Sequence, residues 1–588
     1  MRNIIFFLVT TFTISVLKAQ NNIEISTDNL KSTISYLASD SLKGRKPGTP
    51  GDSLSAFFIR SKFKEYGTIP IYDQGFQRFY VVTEVLPGKR NSLKINDVAA
   101  KINEDFIPAS FSSDDSLESV AVFAGYGFNI HQDSLKWNDY DSIDVKNKWV
   151  LILQGKPEGI ENITIAKFSK DRTKVLTAKD KGAKGILIVH EKNGQNKLSA
   201  GIFDKTVSDA GVPVFIISRE TAEKILKENN LNLDTLKIKL TKEQKPVSKN
   251  LKTKITGIAD VIQVKVPTTN VVSILEGTDS ILKNEYIVIG AHYDHLGMGG
   301  QESGSRMPDT TAVHNGADDN ASGVAGILEL ARVFAASPAK PKRTLIFVSF
   351  SGEEMGLLGS KQFVKEPPFP LKSIKAMFNF DMIGRIKNED PTLSVGGTGT
   401  SAETDSLIKL FDKDLPFTVT KSPEGYGPSD HASFYKNDIP VFFFFSGMHD
   451  DYHTPLDDVE KINFPQETNI LKFSYQLINS VANLDKSLTF KEAGSKEENR
   501  SPGYKVTLGI IPDVVGSGNK GLSVDGVKKG GPAETGGIKK GDIITAINGL
   551  PVTNIYDYMT RLNTLNKGQI VEVEVLREGE KKIFKVKL

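Results

Sequence analysis

Between residues 286 and 445 the chain returns four times to a short strand-forming run with almost no polar alternation: 286–291, 344–350, 376–380 and 441–445. Runs of that length, separated by helix-patterned sequence such as 322–335, fit strands that are buried on both faces. They constrain residues 258–485 to an α/β sheet with helices on both sides. Open sheets of this kind build their sites just beyond the strand C-termini, and the residues able to do chemistry sit at those positions here.

Ala291-His292-Tyr293-Asp294-His295 leaves the first run, and Gly316-Ala317-Asp318-Asp319-Asn320-Ala321-Ser322-Gly323 opens the helix. Ser351-Gly352-Glu353-Glu354-Met355-Gly356 follows the second run, Asp381 follows the third, and His453-Thr454-Pro455 lies on a loop after the fourth. Six of the chain's eight histidines fall between His292 and His453, a clustering that scattered surface histidines do not show. Imidazoles and carboxylates are the ligands of hard-to-borderline divalent ions. His292 offers one imidazole at a strand end. Asp294, two residues on along an extended backbone, points the same way and can accept the other ring N–H. Asp319, on a Gly-rich loop at a helix start, is placed to bridge two ions. Glu353 and Glu354 are adjacent and so point in different directions, which lets one bind metal while the other stays free as a base. Peptide hydrolysis needs those parts: a polarised carbonyl, an activated water and a group that moves a proton to the leaving amine.

The motifs His-x-Asp, Gly-Ala-Asp-Asp-Asn-Ala-Ser-Gly, Glu-Glu-x-Gly-Leu-x-Gly-Ser, Asp-Met and His-Thr-x-x-Asp together resemble the co-catalytic di-zinc aminopeptidase family of the zinc-dependent exopeptidase clan. The likeness covers roughly 260–485, and 36–66 resembles that family's N-terminal helices. It implies two zinc ions: one on His292, Glu354 and bridging Asp319, the other on Asp381, His453 and the same Asp319. It implies Glu353 as general base and acid, Asp294 as the residue that orients His292, and Asp430 and His431 near the substrate. The implied fold is a zinc-exopeptidase-like mixed sheet flanked by helices. The substrates would be peptides with a free N-terminus. Within the clan, a glutaminyl cyclase-like transferase would need only one zinc. A carboxypeptidase would need a cation for the substrate carboxylate, for which Arg306 and Arg385 are the obvious candidates. A non-enzymatic alternative is a metal-stabilised protein that presents its C-terminal module, against which the intact Glu353 argues.

At 588 residues the chain is too long for one core. Residues 22–115 read as helices (30–42, 53–66) around a Gly- and Pro-rich loop at 43–51, then irregular structure, forming the N-terminal part of the peptidase domain. Residues 116–250 alternate strand and helix patterns, close on a Lys-rich stretch at 237–257, and resemble a β-rich protease-associated domain inserted into the peptidase domain (251–485). No catalytic cluster lies there, and His190-Glu191 lacks the second histidine of an His-Glu-x-x-His helix. A charged linker at 486–502 leads to 503–588, which resembles a PDZ domain. Its stretch 505–510 fits an edge strand that takes a peptide C-terminus by strand addition.

Arg2 and the short apolar run starting at Ile4 read as a signal peptide over 1–20, so the expectation is an exported, periplasmic or extracellular protein with no membrane span once the signal is removed. The chain contains no cysteine, which excludes disulfides, a thiol nucleophile and any thiolate zinc site. With 74 basic against 71 acidic residues, there is no electrostatic case for nucleic acid.

Overall fold

A computed structural model describes residues 24–588 apart from 133–134, 158–164, 166–167, 191–197, 199–208, 301–302, 390, 495–505, 513–520, 528–529 and 554. The expected signal segment 1–20 lies outside the described residues. No helix among them is long and apolar enough to cross a membrane.

The central layer is a nine-stranded mixed sheet. Tyr286–His292 lies between Thr344–Phe350 and Ile374–Phe380, parallel to both, and Val441–Phe445 continues the parallel set beyond Ile374–Phe380. Antiparallel strands flank this core: Val261–Leu275 on one side and Thr392–Gly396 on the other. The unbroken apolar runs follow from burial on both faces. Ile287, Ile289, Phe347, Phe378 and Phe380 join the cluster beneath helices Thr27–Leu37, Pro50–Glu65, Gly323–Ala336 and Phe464–Asn483. Alternate residues Val288, Val348, Phe350 and Met377 face the other side, against Phe363 and Phe434. Register places Phe378 opposite Phe442 and Phe380 opposite Phe444, and each pair stacks, with centroids 4.4 Å and 4.8 Å apart.

One part departs from the sequence reading, and another carries elements to which that reading assigned none. Residues expected to be irregular before 116 are strands: Phe76–Pro87 pairs along nearly its whole length with Val261–Leu275 as a long ribbon, while Ser92–Ile95 and Phe106–Pro108 enter a second, eight-stranded sheet. The Lys-rich 237–257 stretch is also ordered, as helix Leu233–Glu243 and strand Ser248–Ile258. The second sheet thus draws on 92–258, entered and left through the ribbon. In the C-terminal unit the strand nearest the expected edge is Ile510–Pro512, paired antiparallel with Leu522–Val527. Lys505 lies outside the described residues, and 506–509 are not strand.

Candidate active site

The parallel strands deliver their C-terminal ends to one edge, and the sequence-predicted residues gather there. His292 is the last residue of its strand and Asp381 directly follows a neighbouring one. Glu353 and Glu354 sit on the turn beyond Thr344–Phe350, and Asp319 sits on an irregular turn leading into helix Gly323–Ala336. His453 reaches in from the loop after Val441–Phe445. All are buried or nearly so.

Asp319 divides the cluster. Its Oδ1 lies 3.3 Å from His292 Nε2, which is also 3.4 Å from Asp381 Oδ1. Its Oδ2 lies 3.2 Å from His453 Nε2, which is also 3.3 Å from Glu354 Oε2. Two ligand groups therefore form on the two oxygens of one carboxylate. The pairing differs from the one the family resemblance implied: His292 goes with Asp381, and Glu354 with His453. Strand order explains this, since His292 and Asp381 leave adjacent parallel strands whereas Glu354 lies four residues past its own strand end.

The imidazoles are set by their other nitrogens. His292 Nδ1 lies 3.2 Å from the Asp294 carbonyl and His453 Nδ1 lies 3.0 Å from the Gly304 carbonyl, so each Nδ1–H donates to backbone and each Nε2 is turned toward the carboxylates. Asp294 thus orients His292 mainly through its carbonyl; its carboxylate is 3.8 Å from the ring nitrogen. That carboxylate instead accepts the backbone N–H groups of Glu353 at 3.0 Å and Glu354 at 3.3 Å, which fixes the turn that separates the two glutamates.

Four residues not assigned from the sequence complete the arrangement. His295 is fully buried, and its Nδ1 lies 2.8 Å from Glu354 Oε1 and 3.8 Å from Asp319 Oδ2, a geometry that competes with His453 for the same group. Its place one residue beyond Asp294 was the available signal. Asp457, at the end of the His-Thr-x-x-Asp motif, accepts the backbone N–H groups of Asp318 and Asp319 at 3.0 Å each. Asp318 turns away from the cluster, accepting from Gly384 N and Ser322 Oγ. Arg45, from the stretch read as a loop, is wholly buried and donates to the carbonyls of Leu37, Tyr293 (2.8 Å), Asn315 (2.6 Å) and Gly316 (3.0 Å), tying together the backbones that carry His292 and Asp319. The preceding Gly44, at φ +67°, is obligatory: a Cβ there would lie 2.3 Å from the Gly297 carbonyl oxygen.

Asp430 and His431 are both buried at the start of helix His431–Tyr435, and His431 stacks on Phe443 with centroids 4.3 Å apart. Burial lowers the His431 pKa to about 3. Burial raises Asp430 to about 6, against the pull of His292. Burial also raises Glu353 well above the usual carboxylate range, and Glu354 and Asp381 add to that effect, outweighing His292. For Glu354, burial and the charge of Asp319 act upward, but hydrogen bonds from His295 and His453 outweigh them and bring it to about 2. Burial works against protonation of His453, yet Asp319 and Glu354 raise it to about 10. The cluster as a whole demands positive charge.

A cavity of about 630 Å³ opens onto this edge, lined by Glu353, Glu354, Leu357, Tyr426, Pro428 and Tyr452 among others. Tyr452 stacks on the His453 ring at 3.8 Å. Phe444 is packed in the core against Phe380.

Comparison with known proteins places this cluster in context. Residues 270–478 match the profile of peptidase family M28, 103–225 that of the PA domain and 499–588 that of the PDZ domain. A probable zinc metalloprotease of Pyrenophora teres f. teres (strain 0-1) is 38% identical over 169 residues, which is 29% of this chain and 32% of that protein. Aminopeptidase YwaD of Bacillus subtilis (strain 168) is 25% identical over 458 residues, 76% of this chain and 84% of that protein. The chain thus spans about a third of the length of the first curated relatives it matches. The solved zinc aminopeptidase BSAP from Bacillus subtilis aligns with a TM-score of 0.46 at 21% identity, over 80% of this chain and 100% of that one.

Proposed function

We propose that this chain, whose residues 270–478 form a peptidase family M28 domain preceded by a PA domain and followed by a PDZ domain, is an exported aminopeptidase that uses two zinc ions. The carrying observation is Asp319, whose two carboxylate oxygens face two separate groups of imidazole and carboxylate ligands. His292, Asp319 and Asp381 would hold one ion; Asp319, Glu354 and His453 would hold the other, with His295 bracing Glu354. The donor set fits zinc: imidazole Nε2 lone pairs fixed by backbone acceptors, carboxylates, and no thiolate. It also meets the cluster's need for positive charge, because buried carboxylates crowded together are costly unless cations pair with them. When bound, such ions supply Lewis-acid polarisation of a carbonyl and ionise water at neutral pH.

The protein's own residues do the rest. Glu353 adjoins both ligand groups, and its raised pKa suits it to take a proton from water and pass it to the departing amine nitrogen. Asp294 holds the Glu353 backbone in place for that transfer. The apolar walls given by Leu357, Pro428 and Tyr426 favour an uncharged side chain at the substrate's N-terminus, while the surrounding carboxylates favour its ammonium group. Two ligand groups, rather than one, weigh against a single-zinc cyclase. Residues 1–20 would direct export, and the PDZ unit would hold an extended peptide C-terminus in its groove.

The deciding experiment compares leucyl substrates with free and acetylated N-termini on enzyme stripped by chelator and refilled with zinc. Turnover confined to free-amine substrates and dependent on zinc is expected. Equal cleavage of blocked peptides, or full activity with one equivalent of metal, overturns the reading.

A further inference from the structure

A second cavity, about 670 Å³, lies across Tyr452 from the one that holds Glu353; Tyr452 lines both. Its character is opposite. Arg306, Arg385 and Lys387 line it, against the carboxylates of Asp450 and Asp451. Asp451 is already engaged, 3.0 Å from Arg385 Nη2 and 2.9 Å from Lys461 Nζ. Arg306 is pinned by an uncharged acceptor, the Asp450 carbonyl at 3.0 Å, while its own backbone N–H donates to the His453 carbonyl at 2.9 Å. Its positive charge is therefore not neutralised at that contact, and it is tied directly to the loop that carries a ligand histidine. Lys387 is exposed, and three lining cations face the two lining carboxylates, with Arg385 also 3.8 Å from Asp457 Oδ1. The catalytic chemistry proposed above uses none of these charges.

We propose that this cavity is a substrate subsite for a carboxylate: the C-terminal carboxylate of a short peptide whose N-terminus lies in the acidic cavity beside Glu353. The two cavities share Tyr452 as a lining residue, and an extended peptide advances about 3.5 Å per residue, so a short peptide seated in one can reach into the other. Arginine recognises carboxylates through charge-assisted, often bidentate hydrogen bonds. An acidic side chain just downstream of the N-terminal residue presents the same chemistry. The inference rests on the aminopeptidase reading for the direction of the peptide, though not for the charge preference of the cavity.

The test compares three peptides, Leu-Ala-Ala acid, Leu-Ala-Ala amide and Leu-Glu-Ala amide, by kcat/KM on zinc-loaded wild type and on R306Q/K387Q. Both substituted residues are exposed, and Leu-p-nitroanilide turnover, expected to stay within about twofold, reports an intact centre. A carboxylate preference of about tenfold in the wild type, abolished in the double variant, is expected. If the acid tripeptide carries it, the source is the chain terminus; if only the glutamyl peptide does, the cavity still reads a carboxylate but from a side chain. Equal rates for all three peptides, or a preference that survives R306Q/K387Q, overturn the proposal. Calorimetric binding of the acid and amide tripeptides to Glu353→Gln enzyme gives the same comparison without turnover. Cleavage of N-acetyl-Leu-Ala-Ala would sink the aminopeptidase reading while leaving the cavity's charge preference standing.

Discussion

Glu353 and Glu354 share a turn and a residue type, and they differ in what faces them. Glu354 meets two imidazoles and is drawn down to about 2, whereas Glu353 is buried with its nearest imidazole nitrogen 4.0 Å away and is driven up. Glu353→Gln is therefore expected to retain metal and lose at least ~10²-fold in kcat, while Glu354→Gln loses metal retention by at least ~10-fold. Metal analysis alongside kinetics separates the two, and identical metal contents would undo the division of labour. Arg45 belongs at the same scale. Arg45→Met strands four buried carbonyls, a loss on the order of 3 kcal/mol or more, visible in urea unfolding of the apoprotein. No loss there would mean that the loops carrying His292 and Asp319 hold themselves.

The strands were legible because their burial is two-sided: a run such as Val441–Phe445 has no polar face to obscure it. The candidate ligand residues were legible for a related reason: His292, Glu354, Asp381 and His453 come after such runs, and Asp319 opens a helix. What could not be read was pairing, because which strand ends are neighbours depends on sheet order, and sheet order is not written in any one segment. The Lys-rich 237–257 stretch yielded no element from sequence for a different reason. Composition hid its period: Leu233, Leu236 and Leu240 are buried on one helix face, and Leu251, Thr253 and Ile255 alternate inward along the next strand while lysines point out. Arg45 was missed because a buried guanidinium in a Gly-rich loop has no local signature; its partners are hundreds of residues away. At the level of elements, Phe444→Ala opens a void between stacked strands and is expected to cost about 3–5 kcal/mol by denaturant titration. His431 couples its helix to pH. Its pKa falls from an ordinary 6.5 to about 3 on burial, so the stability it contributes is present above 6.5 and drains away as pH falls toward 3. Over that window His431→Phe, which keeps a ring against Phe443, should lose stability less steeply than wild type by up to ~1.4 kcal/mol per pH unit. Parallel stability curves would show that His431 is not the group taking up the proton.

At the scale of the whole molecule, the C-terminal unit touches the PA unit through Arg561, which donates in fork geometry to Asp180 while also bonding the Pro551 carbonyl. Among the described residues no candidate ligand comes from beyond His453, so removal of 490–588 should leave small chromogenic substrates turned over at near wild-type rates. Loss of that activity in a folded, zinc-loaded truncation would mean that the unit helps to shape the cleft. The ribbon of Phe76–Pro87 and Val261–Leu275 has a separate consequence. Its paired ends, Pro87 opposite Val261, are the two points between which the PA sheet is inserted. On a ribosome the PA strands all emerge before the parallel strands of the catalytic sheet. The helices at 27–65 appear first, yet strand Val261–Leu275 and helix Gly323–Ala336, against which their apolar faces pack, emerge only after the inserted unit. The inserted unit can therefore close its own core while the N-terminal helices still wait, so synthesis of this chain leaves its earliest hydrophobic surface uncovered the longest.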